Sequence, residues 1–368
     1  MPHRASGVEP MYAPGMNPLH VCASVLAAIA SLSFVAPACA QEVPKPKGVA
    51  LLKEQAAKLA PLARSQLARD FLAATNSLPE RATRTVYRNK DKNTAITAEA
   101  FNALPESDRA GFTPRECDEN FYYQTGYGSP LVYARPLDIA AAHGFESAAG
   151  KYILDFGYGT IGHLRLLASL GARAHGVDVE PLFKALYSQD DDTGSINSVG
   201  AAAPGFLAIH EGQWPANPEL VTEVGGRYDL ILSKNTLKKG YIHPARETDP
   251  KKLVHLGVGD HVFLKAVFDA LSPGGMFLVY NVCPAQNPPD KEYIPWADGE
   301  FPFPREMCQT LGFEVLEFDR VDNDAILDYW MALGYDNGKG REDAASNTFA
   351  WYTLLRRPTA PGPARRDE

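Results

Sequence analysis

The chain has 368 residues, 36 Lys+Arg against 44 Asp+Glu, and a formal net charge of −8 at pH 7. Hydrophobic residues at 45% and charged ones at 22% exclude disorder as the main state, and 30 Gly with 29 Pro exclude collagen and low-complexity chains. The acidic balance argues against non-specific nucleic-acid binding, which draws its affinity from phosphate neutralisation, so no nucleic-acid partner is expected.

The first forty residues stand apart. No Asp, Glu, Lys or Arg occurs between Glu9 and Glu42, Val21 to Ala36 is a run of apolar and small residues, and Ala38-Cys39-Ala40 precedes Gln41. This is the pattern that signal peptidase cuts, and it predicts a signal peptide over 1–40 and an exported, periplasmic or secreted, mature chain. An uncleaved membrane anchor is the alternative, although the run falls short of the roughly 20 apolar residues a spanning helix needs. After cleavage nothing of that kind remains, so no stable membrane insertion is expected. Cys22 and Cys39 leave with the signal. Cys117, Cys283 and Cys308 remain, expected as structural thiols with one bridge left open. No CxxC and no His/Cys spacing suggests a metal site.

Residues 41–48 read as a Pro/Lys-rich linker. From Val49 to Leu78 apolar residues recur at helical spacing (Leu52, Ala56, Leu59, then Leu67 and Phe71), with Pro61 breaking the helix. Arg81 to Pro136 is mixed and aromatic, and 41–136 is expected to form the linker and a helical cap. After Gly150 short β-rich runs alternate with helical stretches. The strands expected are Tyr152–Phe156, Arg173–Val177, Phe206–Ile209, Tyr228–Ser233, Met276–Asn281, Phe313–Phe318 and Thr348–Leu355. This predicts an α/β domain over 137–357, a doubly wound seven-stranded and mostly parallel sheet, followed by a disordered tail over 358–368.

The segment Asp155-Phe156-Gly157-Tyr158-Gly159-Thr160-Ile161-Gly162 runs from a predicted strand into a helix. Its glycines allow a tight turn and close approach of a ligand over the helix N-terminus. Asp178 closes the next strand about twenty residues on, where a ribose hydroxyl would bind. Nicotinamide enzymes and methyltransferases both use this geometry. Asp155, two residues before the first glycine, suits a cationic group and would repel a pyrophosphate. The strand Arg227–Ser233 and the helix-turn-strand unit Leu271–Leu278 point the same way.

With these motifs together, Gly150 to Arg357 resembles the class I S-adenosylmethionine-dependent methyltransferases. The resemblance implies a Rossmann-like methyltransferase fold with S-adenosylmethionine as cofactor, and a closing antiparallel hairpin from Gly312–Leu316 and Thr348–Leu355. It places the methionine and ribose parts on Asp155, Gly157 and Gly159, with Gly162 opening the helix. The ribose hydroxyls fall to Asp178 and adenine to Glu211-Gly212-Gln213-Trp214; Ser233 ends the fourth strand beside them. Ser233-Lys234-Asn235-Thr236-Leu237 stands where the amino-methylating branch has an Asn/Asp-Pro-Pro-aromatic motif, which points away from a nucleobase or glutamine-amide substrate.

Methyl transfer from a sulfonium needs mainly a positioned nucleophile, and a general base only if that nucleophile is protonated. A small-molecule acceptor is expected, in a pocket built from the loops after the fourth and fifth strands. Weak candidates for catalysis are His243, Tyr241 and Asn235; Lys238 and Lys239 either attract an acidic acceptor or form a solvated loop. Tyr122, Tyr123 and Tyr127 are lid candidates, and Asp190-Asp191-Asp192 reads as an exposed acidic turn. The rival readings are a non-catalytic exported ligand-binding protein on this fold and a nicotinamide-dependent oxidoreductase.

Overall fold

The computed structural model describes residues 47–125, 128–200 and 203–359. The expectations placed on the leader, on Tyr127 and on most of the tail lie outside the described residues. Among them, no helix is long and apolar enough to cross a membrane.

The N-terminal part holds α1 (Gly48–Leu59), α2 (Gln66–Ala73), β1 (Arg84–Asn89), β2 (Thr94–Thr97), α3 (Ala98–Ala103), β3 (Thr113–Cys117), α4 (Glu119–Tyr123) and α5 (Ala134–Ala142). Then follow β4 (Tyr152–Phe156), α6 (Gly162–Ser169), β5 (Arg173–Asp178), α7 (Pro181–Leu186), β6 (Gly194–Ile196), β7 (Gly205–Glu211), α8 (Pro218–Val224) and β8 (Tyr228–Lys234). The chain closes with α9 (Lys239–Ile242), α10 (Asp260–Ala270), β9 (Leu271–Cys283), α11 (Arg305–Thr310), β10 (Glu314–Val321), α12 (Asn323–Leu333), α13 (Arg341–Asn347) and β11 (Phe349–Arg356).

The main sheet has the order β10-β11-β9-β8-β4-β5-β7-β6. The pairs β4–β5, β4–β8, β5–β7 and β8–β9 are parallel, whereas β11 runs antiparallel between β9 and β10. Central strands covered on both faces need continuous apolar runs, and Ile153-Leu154 and Leu230-Ile231-Leu232 supply them, all at 1% exposure or less. From β4 the chain moves outward to β5 and β7 on one side and to β8 and β9 on the other. That topological switch opens a crevice at the carboxyl ends of β4, β5 and β8.

All seven predicted strands are present. The sheet has an eighth, β6, whose three residues antiparallel to β7 are too short to leave a period-2 signal. The cap is not purely helical either: β2-β1-β3 form an antiparallel sheet, and Tyr87 of β1 stacks on Phe101 of α3 with centroids 3.7 Å apart. The helical reading failed there because these strands are half-buried and carry Arg, Asn and Glu rather than alternating apolar residues.

Cap and sheet share a core. One continuous buried cluster runs from Val49, Leu52 and Phe71 of the cap through Tyr133 and Leu164 to Leu230 and Leu354 of the sheet. The helix α2 begins because the Ser65 hydroxyl accepts from Ala68 N, and buried Asp138 of α5 receives the backbone N–H groups of Arg64 and Ser65. The acidic turn is likewise a brace. Asp192 is fully buried, receiving Arg84 and the Tyr122 hydroxyl (2.7 Å) from the cap, rather than being exposed as expected. Tyr122 and Tyr123 are buried in this packing and are not a lid. Cys117, Cys283 and Cys308 are all free and buried, as structural thiols.

Candidate active site

The site is built around the turn after β4. Gly157 and Gly159 have φ of +76° and +64°, the left-handed region that glycine enters without strain. Between them Tyr158 turns inward, its ring lying where a Cβ on Gly176 would stand. The two glycines face different surroundings. A methyl group on Gly157 would come within 2.2 Å of Thr236 Oγ1, whereas one on Gly159 meets nothing within 4 Å. So Gly159 borders open space and Gly157 makes room for the chain's own loop after β8. Gly162 is also a packing glycine, because a Cβ there would strike the Tyr123 carbonyl oxygen at 2.2 Å.

Asp178 ends β5 beside this turn. One carboxylate oxygen receives the Gly159 N–H and the other the Glu180 N–H, both at 3.0 Å. Burial pushes its pKa up to about 6, against the opposing pull of those backbone donors. Asp178 as a residue is nonetheless only half-buried, and its neighbour Val179 is 60% exposed. Composition gave no reason to single out Val179; its position directly after Asp178 was the available signal. Gly212 reaches the same place from β7, its N–H donating to Asp178 O at 2.8 Å with φ +140°. Gln213 is tied by its amide to His255 O (2.7 Å), and Trp214 is buried against Phe156 and Phe263. The enclosed cavity beside Asp178, lined also by Tyr158, Ile209 and Glu211, holds only about 60 Å³. The ground open to a nucleoside is therefore the surface over Gly159 and Val179.

On the other side of β4 the arrangement is closed. Asp155 is fully buried: its Oδ2 accepts from the Tyr133 hydroxyl at 2.7 Å and lies 2.6 Å from His163 Nε2. The Tyr133 and His163 rings stack with centroids 3.8 Å apart. Asp155 was expected to meet a cationic ligand group, but this carboxylate reaches no open surface and instead ties the cap to the first turn of α6. His163 went unnoticed in the sequence although it lies eight residues after Asp155, on the helix turn that the glycine loop folds back to the strand end. Tyr133 carries no local signal of this kind.

The remaining candidates lie around the end of β8. The Ser233 hydroxyl donates to Phe156 O at 3.1 Å and is buried. Asn235 has φ +67°, and its side-chain oxygen accepts from Val282 N at 2.7 Å, so it shapes the turn. Lys238 is buried, donating to the carbonyls of Val282 and Trp296, rather than lying in a solvated loop. Tyr241 is buried. His243 is exposed, 2.8 Å from Asp260. Of this loop it is Thr236, next to Asn235, that reaches the glycine turn, its hydroxyl donating to Gly157 O at 3.4 Å.

For the S-adenosylmethionine implied by the resemblance, the test is whether these residues leave it a place. Gly159 offers backbone with clear space above it, Asp178 a half-buried acceptor, and Val179 an apolar surface. The residues fit the nucleoside half. The strand order, with an antiparallel strand inserted next to the last parallel one and the glycine turn at its centre, decides the architecture. The fold is that of the class I methyltransferases.

No family model matches the chain, and no curated protein does. Solved structures do resemble it. Phosphoethanolamine N-methyltransferase 2 of Haemonchus contortus, bound to S-adenosylhomocysteine, matches at 15% identity and TM-score 0.37, covering 63% of this chain and 55% of that one. The present chain thus spans little more than half of that enzyme. An S-adenosylmethionine-dependent methyltransferase of Thiobacillus denitrificans matches at 14% identity and TM-score 0.32, covering 59% and 89%. The cyclase SpnF matches at 12% identity and TM-score 0.35, covering 86% and 97%.

Proposed function

We propose that the chain is an S-adenosylmethionine-dependent methyltransferase acting on a small-molecule acceptor, and that it works as an exported mature protein. The observation that carries this reading is the conjunction at the carboxyl ends of β4 and β5. Gly159, with nothing within 4 Å of its missing side chain, lies hydrogen-bonded to the carboxylate of half-buried Asp178. When bound, S-adenosylmethionine supplies a methyl group on a sulfonium, already activated for displacement. The chain's own contribution is placement. Asp178 accepts the ribose hydroxyls, Gly159 admits the ligand against the backbone, and Val179 gives the base an apolar surface. The cap excludes water from the opposite face of β4.

Calorimetric titration of the purified protein with S-adenosylmethionine, S-adenosylhomocysteine and NAD tests the cofactor. Both sulfur compounds should bind and NAD should not; NAD binding alone would overturn the reading. Export is tested by N-terminal sequencing after cell fractionation, which should find Gln41 first and the protein outside the cytosol. A cytosolic chain starting before Val21 would end that part of the proposal.

A further inference from the structure

Lys234 is the last residue of β8 and is only 7% exposed. Asp155 of β4 is in register with Leu232 of β8, so the period of two puts Asp155, Leu232 and Lys234 on one face of the sheet, under the cap. The Lys234 ammonium lies 5.5 Å from the centre of the Tyr133 ring, and no described residue hydrogen-bonds to it. Asp155 is not its partner: Oδ2 serves Tyr133 and His163, and Oδ1 makes no hydrogen bond among the described residues. Lys238, four residues on, brings a second buried ammonium, held by two carbonyls. Burial first and Lys238 second pull the Lys234 pKa down to about 8, against the attraction of Asp155. A largely buried cation is costly unless a partner offsets it, and the Tyr133 ring face is the one contact made by the Lys234 ammonium among the described residues.

We propose that Lys234 receives a carboxylate of a bound ligand at the carboxyl end of β8, on the cap side of the sheet. The placement is suited to it: Thr236 beyond the turn covers Gly157, and Tyr133 walls the other side. Such a carboxylate has two sources, the amino-acid end of the cofactor or the methyl acceptor, and the inference rests on the methyltransferase reading for both.

Calorimetry on the full chain separates them, with S-adenosylhomocysteine compared with 5′-methylthioadenosine, which lacks the amino-acid end. If the cofactor is the source, wild type prefers the former by about tenfold or more, Lys234→Met abolishes that preference, and Lys234→Arg keeps most of it. If the acceptor is the source, Lys234→Met leaves the preference intact, while protein saturated with S-adenosylhomocysteine binds benzoate about tenfold or more weaker than wild type does. Lys234→Met unchanged in both measurements overturns the proposal. Should that variant not fold, acetic-anhydride labelling of Lys234 in wild type, read by mass spectrometry, decides. Tenfold protection by either ligand supports the site, and an unchanged rate overturns it. If wild type binds no S-adenosylhomocysteine, the methyltransferase reading falls, and protection of Lys234 by benzoate alone judges the anion site.

Discussion

The two flanks of β4 place ionisable residues in opposite settings. Toward β5 and β7, Asp178 is held by backbone donors yet is only half-buried, with clear space over Gly159 and an apolar Val179 beside it. Toward β8, Asp155, His163 and Tyr133 are packed beneath the cap, and Thr236 fills the room left by Gly157. A glycine pair that looks symmetrical in sequence therefore does two jobs. One glycine leaves open space above the turn, and the other makes room for the protein's own loop.

The largest expected effect belongs to the closed flank. Asp155→Ala leaves the Tyr133 hydroxyl and His163 without their shared acceptor in a fully buried place. It should cost about 3–5 kcal/mol of stability, seen as a lowered urea midpoint. A loss under about 1 kcal/mol would mean that the brace between cap and α6 is dispensable.

The glycines sharpen the contrast. Gly157→Ala combines left-handed strain of about 1–2 kcal/mol with an overpacking cost of about 1–3 kcal/mol against Thr236. Gly159→Ala should carry only the strain while reducing cofactor affinity. Equal thermal shifts for the two variants would erase the difference between the flanks. On the open side, Asp178→Ala should weaken S-adenosylhomocysteine binding by roughly 1.5–3 kcal/mol, measured by calorimetry.

A smaller signature lies in pH. Because the folded protein raises the Asp178 pKa to about 6, the stability this group contributes is full below about pH 4 and is lost as pH rises through about 6. Ribose hydroxyls donate to the carboxylate, so binding should be full above pH 6 and fade below it. Asp178→Asn should flatten both trends between pH 4 and 7, as followed by thermal melts and titrations. The smallest effect concerns the thiols. With the three described cysteines free and buried, and burial pushing Cys308 up to about 12 and Cys117 to about 11, a reductant should leave Tm unchanged. A reductant-dependent melt would reveal a bridge.

Sequence legibility follows the same divide. The strands of the main sheet were readable because burial on both faces demands apolar runs such as Leu230-Ile231-Leu232. Asp178 and Gly159 were readable because a strand, a turn and the next strand end fix them within a short stretch. Tyr133 was not: it meets Asp155 across a separation of 22 residues, through cap packing that no local pattern records. Asp192 was misread for a related reason, since three adjacent acids suggest solvent, and only the fold brings Arg84 and Tyr122 to the third. The strands of the cap escaped because charged residues blunt their alternation.

The position of β11 bears on how the molecule comes into being. It lies between β9 and β10, so β10 has no seat in the sheet until β11, the last strand among the described residues, has entered. While the polypeptide is emerging, the outer edge of β9 stays unpaired although everything on its N-terminal side can already assemble. An unpaired strand edge is a template for wrong partners. Completion of the sheet is thereby deferred until β11 has been made. A nascent chain interrupted before Phe349 lacks not one strand but the attachment of two, and it exposes the interior strand β9 as its new border.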